Sequence, residues 1–213
     1  MNTFILLQVI ITCFLGAASP GPSLVLISRN GIANGILSGT ITGLGHAVGI
    51  FFYCMISIIG ISLFFRINSK ILDYLTLILV IYLIFIAIKI LRSNSNIKQK
   101  IISKKLLTEN FIEGFLICFF NPKITIFFFA IFSQFIKSET TIFQIFYLAS
   151  IASIIDFLWY TFVSFSVGNG AIRKFLNKEK ILNLSSSMIL IGISLFIIYK
   201  LLINETSGKV LYI

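Results

Sequence analysis

The sequence predicts an all-α integral membrane protein with six transmembrane helices. Of its 213 residues, 58% are hydrophobic and only 11% are charged, which is too little charge for the surface of a soluble domain. The apolar residues form long runs between short basic connections, whereas a membrane β-barrel alternates polar and apolar residues over segments of about ten positions. A helix needs about 20 residues to cross the apolar layer of a bilayer. The runs that are long enough cover residues 4–27, 39–65, 71–91, 111–136, 142–167 and 181–203.

The net charge of +10 is interpreted as a topology signal. The basic residues flank the apolar runs and form no basic surface interleaved with aromatic residues, so we expect no nucleic acid partner. With six spans, the first, third and fifth connections share one side and carry most of the Lys and Arg residues. The positive-inside rule places that side, including the basic loop 92–110, in the cytoplasm. Both termini are then predicted to lie outside.

Two of the apolar runs are interrupted where a membrane helix should be continuous. The interruptions are Ser19, Pro20, Gly21 and Pro22 in the first run and Asn121, Pro122 and Lys123 in the fourth. Unpaired backbone groups are costly in hydrocarbon, so such breaks persist only where protein or water satisfies them. Ser19 and Asn121 are good N-cap residues, and each precedes a proline, which is favoured at the first helical position. Each break is therefore predicted to start a half-helix whose N–H groups and dipole bind an anion such as a carboxylate.

The basic loop divides a single transporter domain, residues 1–213, into two halves of three spans, 1–91 and 111–213. An odd number of crossings inserts the second half upside down relative to the first. Together with the matching positions of the breaks, this predicts a 3+3 inverted repeat with broken first and fourth helices. Asn110 followed by Glu113 has the spacing of a helix start, which predicts that the fourth helix begins there.

Three Asp, Lys or His side chains lie in the interior of the predicted spans, away from the span ends. Lys123 falls at mid-membrane depth, where an ammonium group must be paired or must face water; the alternatives are a contact with a substrate carboxylate, an ion pair, or snorkelling to the surface. Asp156 lies near the centre of the fifth helix, and His46 has the comparable place in the second. Imidazole titrates near physiological pH, so both residues are candidates for a proton site or for pairing with a substrate amine. Their alternative role is helix–helix hydrogen bonding.

The other notable residues are assigned structural roles. Cys13, Cys54 and Cys118 lie in apolar runs without a CxxC pair or a His partner, so we expect no metal and no cofactor. Glycines recur from residue 31 to residue 49 at spacings that let helices pack closely, either within one chain or in a homodimer. The aromatic residues, Tyr160 among them, are expected to face lipid or the membrane interface.

The chain resembles the LysE/RhtB amino-acid exporter family over nearly its whole length. The motifs that carry the resemblance are Ser19-Pro20-Gly21-Pro22, Arg29-Asn30-Gly31 with the glycines up to His46, Glu113-Gly114-Phe115, Asn121-Pro122-Lys123 and Asp156-Phe157-Leu158-Trp159-Tyr160. This resemblance implies an exporter of amino acids or close derivatives in the bacterial cytoplasmic membrane, driven by the proton gradient.

The predicted function is therefore secondary transport by alternating access around the two breaks, not enzymatic catalysis. The breaks would bind the substrate carboxylate, and Asp156 would pair with its amine or, like His46, bind a proton. One alternative is a metal-ion exporter or channel of related architecture, although metal transport needs clustered ligands that this chain lacks. Another is a transmembrane thiol-disulfide reductase that uses Cys13 and Cys118 on the first and fourth helices.

Overall fold

The computed structural model describes residues 3–67, 69–92, 106–136, 140–168 and 179–206. Within these ranges the regular structure consists of eight α-helices and no strand. The helices are α1 (Thr3–Ala18), α2 (Pro22–Asn34), α3 (Ile36–Ile67), α4 (Ser69–Leu91), α5 (Leu107–Phe119), α6 (Pro122–Phe132), α7 (Ile142–Gly168) and α8 (Glu179–Thr206). Residues 93–105 and 169–178, which carry most of the basic residues behind the topology prediction, lie outside the described residues.

The described helices give up to six membrane spans. Four of them, α3, α4, α7 and α8, are each long and apolar enough to cross a membrane. The helices α1 and α2 form a pair bent by 62°, and α5 and α6 form a pair bent by 59°. Counting each bent pair as one span confirms the prediction of an all-α membrane protein with broken first and fourth helices. The bent pairs occupy the same place in the two halves, as the predicted 3+3 repeat requires.

The distribution of exposed apolar side chains separates outer helices from inner ones. Large hydrophobic side chains are exposed on α1, α3, α4, α5, α7 and α8, but on neither α2 nor α6. Extensive apolar exposure marks a surface that contacts lipid or another protein. The two half-helices that begin at the breaks therefore lie inside the bundle, where water-filled space or protein can satisfy their irregular ends.

Close packing of α3 holds the bundle together. This helix packs against both α5 and α7. A Cβ atom added to Gly45 would collide with the backbone carbonyl of Phe111, and one added to Gly114 would collide with that of Thr42. The packing role predicted for the glycines is thereby confirmed within one chain, so the same residues give no support to the predicted homodimer.

The start of α5 differs from the prediction. The helix begins at Leu107, three residues before Asn110. The reason is an alternative cap, because the Glu109 carboxylate accepts a hydrogen bond from the Leu106 N–H group at 3.0 Å. Asn110 is instead fully buried within the first turns of the helix.

Candidate functional site

The second break has the predicted N-cap. The Asn121 side-chain oxygen accepts a hydrogen bond from the Lys123 N–H group at 3.1 Å, and Pro122 is the first residue of α6. The Asn121 carbonyl accepts from the N–H groups of Ile124 at 3.0 Å and Thr125 at 3.2 Å. The first N–H groups of α6 are thus already paired with Asn121, so the expectation that this helix end offers free donors to an anion is wrong.

The half-helix after the first break starts two residues later than predicted. Ser19 is not an N-cap, because its N–H group continues the hydrogen bonding of α1 with a 2.9 Å bond to the Leu15 carbonyl. The N-cap is Gly21, which is extended at φ −174°, and Pro22 occupies the first helical position of α2. No side chain caps α2. The helix end that can receive an anion is therefore the start of α2.

Lys123 connects the two breaks. Its Nζ donates to the Ser19 carbonyl at 3.1 Å and to the Ser19 hydroxyl at 2.8 Å, and the residue is only 8% exposed. An ammonium at this carbonyl is favourable because α1 ends there with the negative end of its dipole. A Cβ atom on Gly21 would lie 3.6 Å from Lys123 Nζ, so the ammonium also lies beside the uncapped start of α2. The snorkelling alternative is wrong.

A serine of α8 that no sequence motif marks is hydrogen-bonded to the first break. Ser186 donates its hydroxyl hydrogen to the Pro20 carbonyl at 2.5 Å. The hydroxyl oxygens of Ser19 and Ser186 are 3.1 Å apart. Because each hydroxyl has one hydrogen and that of Ser186 is used by Pro20, Ser19 donates to Ser186. The backbone carbonyls that the break exposes are thus satisfied by side chains of α6 and α8.

His46 and Asp156 form a buried pair. His46 Nδ1 lies 2.7 Å from Asp156 Oδ2, and His46 Nε2 lies 2.9 Å from the hydroxyl oxygen of Ser23. His46 is 1% exposed and Asp156 4%. A buried carboxylate without such a partner would be strongly destabilising. The pair joins α3 to α7, and Ser23 joins it to the first turn of α2.

Tyr160 belongs to the same site, so its assignment to a lipid-facing position is wrong. It is buried, and its ring packs edge-on against the His46 ring with centroids 4.9 Å apart. Asp156 and Tyr160 are four residues apart on α7 and therefore share one helix face. That spacing was the signal available in the sequence. Phe157 and Trp159, on other faces of α7, are half-buried.

One central cavity brings the predicted site residues together. Its volume is about 30 Å³, which is room for a water molecule or two. The predicted residues that line it are Ser19, Gly21, His46, Asn121, Lys123 and Asp156. The three prolines of the breaks are not part of the lining, and the remaining walls are largely apolar. An amino acid would fit only if the surrounding helices moved apart.

One of the three cysteines lines the central cavity. Cys13, Cys54 and Cys118 are all buried and free, and Cys13 lines the central cavity. Among the residues that the structure describes, no group of three or more His, Cys, Asp or Glu side chains is placed to hold a metal ion.

Comparison with known proteins identifies the family. The family model described as LysE type translocator matches residues 14–201. The chain is 25% identical over 187 residues to the uncharacterized membrane protein YrhP of Bacillus subtilis (strain 168), a match that covers 81% of this chain and 88% of the relative. It is 24% identical over 161 residues to the uncharacterized membrane protein YahN of Escherichia coli (strain K12), covering 73% and 71%. No solved structure matches the chain. Because the family model covers most of its length, the chain belongs to the LysE type translocator family.

Proposed function

We propose that this translocator exports amino acids or close derivatives across the bacterial cytoplasmic membrane by proton-coupled alternating access. One observation carries the proposal: an ammonium group, Lys123, and a carboxylate, Asp156, line the same buried cavity at the two helix breaks. An amino acid carries the complementary pair of charges on adjacent groups. Buried charges in a membrane are costly and mark functional sites.

The substrate carboxylate binds at the junction of the breaks. Lys123 supplies the positive charge, and the uncapped start of α2 supplies N–H groups and the positive end of a helix dipole. The two halves contribute different parts of this site, since α2 follows the first break and Lys123 follows the second. The substrate would thus compete with Ser19 for the Lys123 ammonium.

Asp156 binds the substrate ammonium and the transported proton alternately. While the amino acid is bound, its ammonium pairs with the carboxylate. When the amino acid leaves to the outside, a proton entering from there replaces it, held between Asp156 and His46, whose facing atoms are 2.7 Å apart. The carboxylate is then never buried without a positive partner, which would be strongly unfavourable. Each cycle moves one amino acid out and one proton in.

Reconstitution into proteoliposomes tests this proposal. The purified chain is given an imposed pH gradient and a panel of labelled amino acids, and we expect at least one of them to move against its own gradient. Asp156→Asn should abolish this gradient-driven transport while the protein remains in the membrane. Asp73→Asn, the same substitution in α4 and outside the central cavity, is the matched control.

The outcomes distinguish the role of Asp156 in proton coupling from amino-acid export itself. Full gradient-driven activity in Asp156→Asn would remove Asp156 from the coupling mechanism. If no amino acid of the panel moves through the wild-type chain, amino-acid export itself is refuted.

A further inference from the structure

The central cavity has a charged part at the breaks and an apolar part beyond them. Lys123, His46 and Asp156 line the charged part. The apolar part is lined by residues of four helices, namely Gly16 and Ala17 of α1, Ile50 of α3, Phe127 and Phe128 of α6, and Ala152 of α7. The cavity thus offers different surroundings to the charged groups of an amino acid and to its side chain.

The helices α3 and α7 run in opposite directions past the charged part. His46 pairs with Asp156, and the carbonyl of Ala47, the residue after His46, accepts a hydrogen bond from the Ser153 hydroxyl at 2.8 Å. Contacts therefore move backward along α7 as they move forward along α3. A residue one turn after His46 and a residue one turn before Asp156 lie on the same side of the pair, away from the α2–α3 turn.

The apolar residues of α3 and α7 lie on that side. Ile50 follows His46 by four residues, and Ala152 precedes Asp156 by four. Each therefore shares a helix face with its charged neighbour. The apolar part begins one helical turn from the His46–Asp156 pair.

Phe127 lies on the same side as well. It follows Lys123 by four residues and shares its face of α6. The start of α6 leads away from the α2–α3 turn, because the Thr125 hydroxyl donates at 3.0 Å to the hydroxyl of Tyr53, which lies beyond His46 on α3. The positive-inside rule places the α2–α3 turn in the cytoplasm, so the apolar part is predicted to face the outside.

The ring of Phe127 limits the apolar part. Gly16 of α1 has no side chain, and the ring lies in the place that a side chain would take: a Cβ atom on Gly16 would collide with Cζ and Cε1 of the ring. Phe127 is 3% exposed, and Phe128 packs edge-on against it with centroids 5.4 Å apart. The ring therefore fills space between α1 and α6 that a substrate side chain would need.

A charged side chain of a substrate would have no partner in the apolar part. Among the described residues that line the cavity, Asp156 is the one carboxylate and Lys123 is the one Lys or Arg. In the proposed function these two residues bind the substrate's own ammonium and carboxylate. A further charge on the substrate would be buried unpaired, which is costly.

We propose that the apolar part of the central cavity binds the substrate's side chain, that it selects amino acids with small apolar side chains, and that Phe127, packed on Gly16, determines the size limit. This inference rests on the proposed function and adds its substrate class. The helices move apart when an amino acid enters, and the ring of Phe127 then determines how large a side chain the apolar part admits. Alanine and valine fit these requirements better than phenylalanine, lysine or glutamate.

Competition between two amino acids tests the size limit. Proteoliposomes with an imposed pH gradient receive equal amounts of alanine and phenylalanine with different labels, and the ratio of the two transport rates gives the ratio of their kcat/KM values. This ratio does not depend on how much folded protein the vesicles contain. The wild-type chain should prefer alanine. Phe127→Ala removes the ring, so the ratio should shift toward phenylalanine by at least about tenfold, a discrimination that one methylene group can give in an apolar pocket.

The matched control for this substitution is Phe132→Ala. Phe132 lies on the same helix, is fully buried and does not line the cavity. Loss of either ring from the interior is destabilising, but Phe132→Ala should keep the wild-type ratio of alanine to phenylalanine transport.

Gly16→Ala tests the same contact from α1. The added methyl group would collide with the Phe127 ring and push it toward the cavity, so transport of valine should fall relative to that of alanine by at least about tenfold. Combining Gly16→Ala with Phe127→Ala removes the collision and should restore valine transport. Gly60→Ala, where nothing lies within 4 Å of the added atom, should keep the wild-type ratio.

Four results would overturn the inference: wild-type transport of phenylalanine as efficient as that of alanine, equal ratios in Phe127→Ala and Phe132→Ala, equal ratios in Gly16→Ala and Gly60→Ala, or transport of lysine or glutamate at least as efficient as that of alanine. If Phe127→Ala does not reach the membrane, the wild-type chain and Gly16→Ala decide. In each of the four cases amino-acid export stands, because some amino acid has moved. If none moves, the proposed function and this inference fail together.

Discussion

The ammonium of Lys123 lies where the two interrupted helices meet. Both of its described hydrogen bonds go to uncharged oxygens of Ser19, although burial of an ammonium in a membrane is costly. A neutral side chain of similar size would avoid that cost. The charge is thus better explained by an anion that binds to it than by the stability of the resting protein.

Replacing Lys123 with methionine tests that explanation. Lys123→Met keeps most of the side-chain volume but leaves a bound carboxylate without its positive partner, so the transport rate should fall by at least about 30-fold, equivalent to about 2 kcal/mol. Counterflow of labelled amino acid in proteoliposomes measures the rate.

The control for this substitution is Lys200→Met on α8. Lys200 packs over the ring of Phe135 with its Nζ 4.5 Å from the centroid, and it does not line the central cavity. It should transport normally. Wild-type counterflow in Lys123→Met would show that the ammonium serves only to hold the breaks together.

The sequence was sufficient to predict the charged residues of the site but not the contacts of their neighbours. Lys123, His46 and Asp156 stand out because ionisable groups are rare in apolar runs, and Asn121 and its proline have a local capping pattern. Ser186 has no such signal, because its partner Pro20 lies 166 residues away in the chain. The N-cap of α2 is Gly21 and not Ser19, because the Ser19 N–H group still belongs to the hydrogen bonding of α1.

The packing of α3 against α5 depends on glycines. Gly45 and Gly114 lie where α3 and α5 cross, each against a carbonyl of the other helix. Such an approach allows van der Waals contact between backbones, which is a main source of helix association in lipid. The same crossing positions His46, one residue from Gly45, against α7.

A methyl group at this crossing should be destabilising. In Gly114→Ala the added Cβ would collide with the Thr42 carbonyl, and forcing the helices apart should cost about 1–3 kcal/mol, seen as a lower midpoint of thermal unfolding in detergent. The control is Gly192→Ala in α8, where nothing lies within 4 Å of the added atom. Its midpoint should stay the same or rise, because alanine favours helix by about 0.5–1 kcal/mol. Equal midpoints for the two variants would contradict the close crossing.

At the scale of the whole molecule, each bent pair joins a helix at the surface of the bundle to a helix inside it. The helices α2 and α6 expose no large hydrophobic side chain, and each continues from an outer half-helix through a bend of about 60°. The sequence predicted the existence of the breaks. It could not predict the bend angles, because these depend on packing between segments far apart in the chain, such as the ring of Phe127 against Gly16.

Orientation in the membrane is testable with single cysteines, because the three native cysteines are buried. Ala33→Cys lies at the exposed end of α2 and Ile142→Cys at the exposed start of α7. In intact cells, a membrane-impermeant maleimide should label Ile142→Cys and should label Ala33→Cys only after the cells are opened. The unsubstituted chain is the control and should remain unlabelled. The reverse pattern would invert the predicted topology.

The hydrogen bonds at the first break also have a consequence for biogenesis. The Ser19 carbonyl receives its donor from Lys123, and the Pro20 carbonyl receives its donor from Ser186, so neither bond can form when the first helices leave the ribosome. At synthesis rates of about 5–20 residues per second, Pro20 waits on the order of ten seconds for its partner. During that time the early segments need water, lipid headgroups or the insertion machinery as a substitute. The first break is thus a point of vulnerability during insertion of the protein.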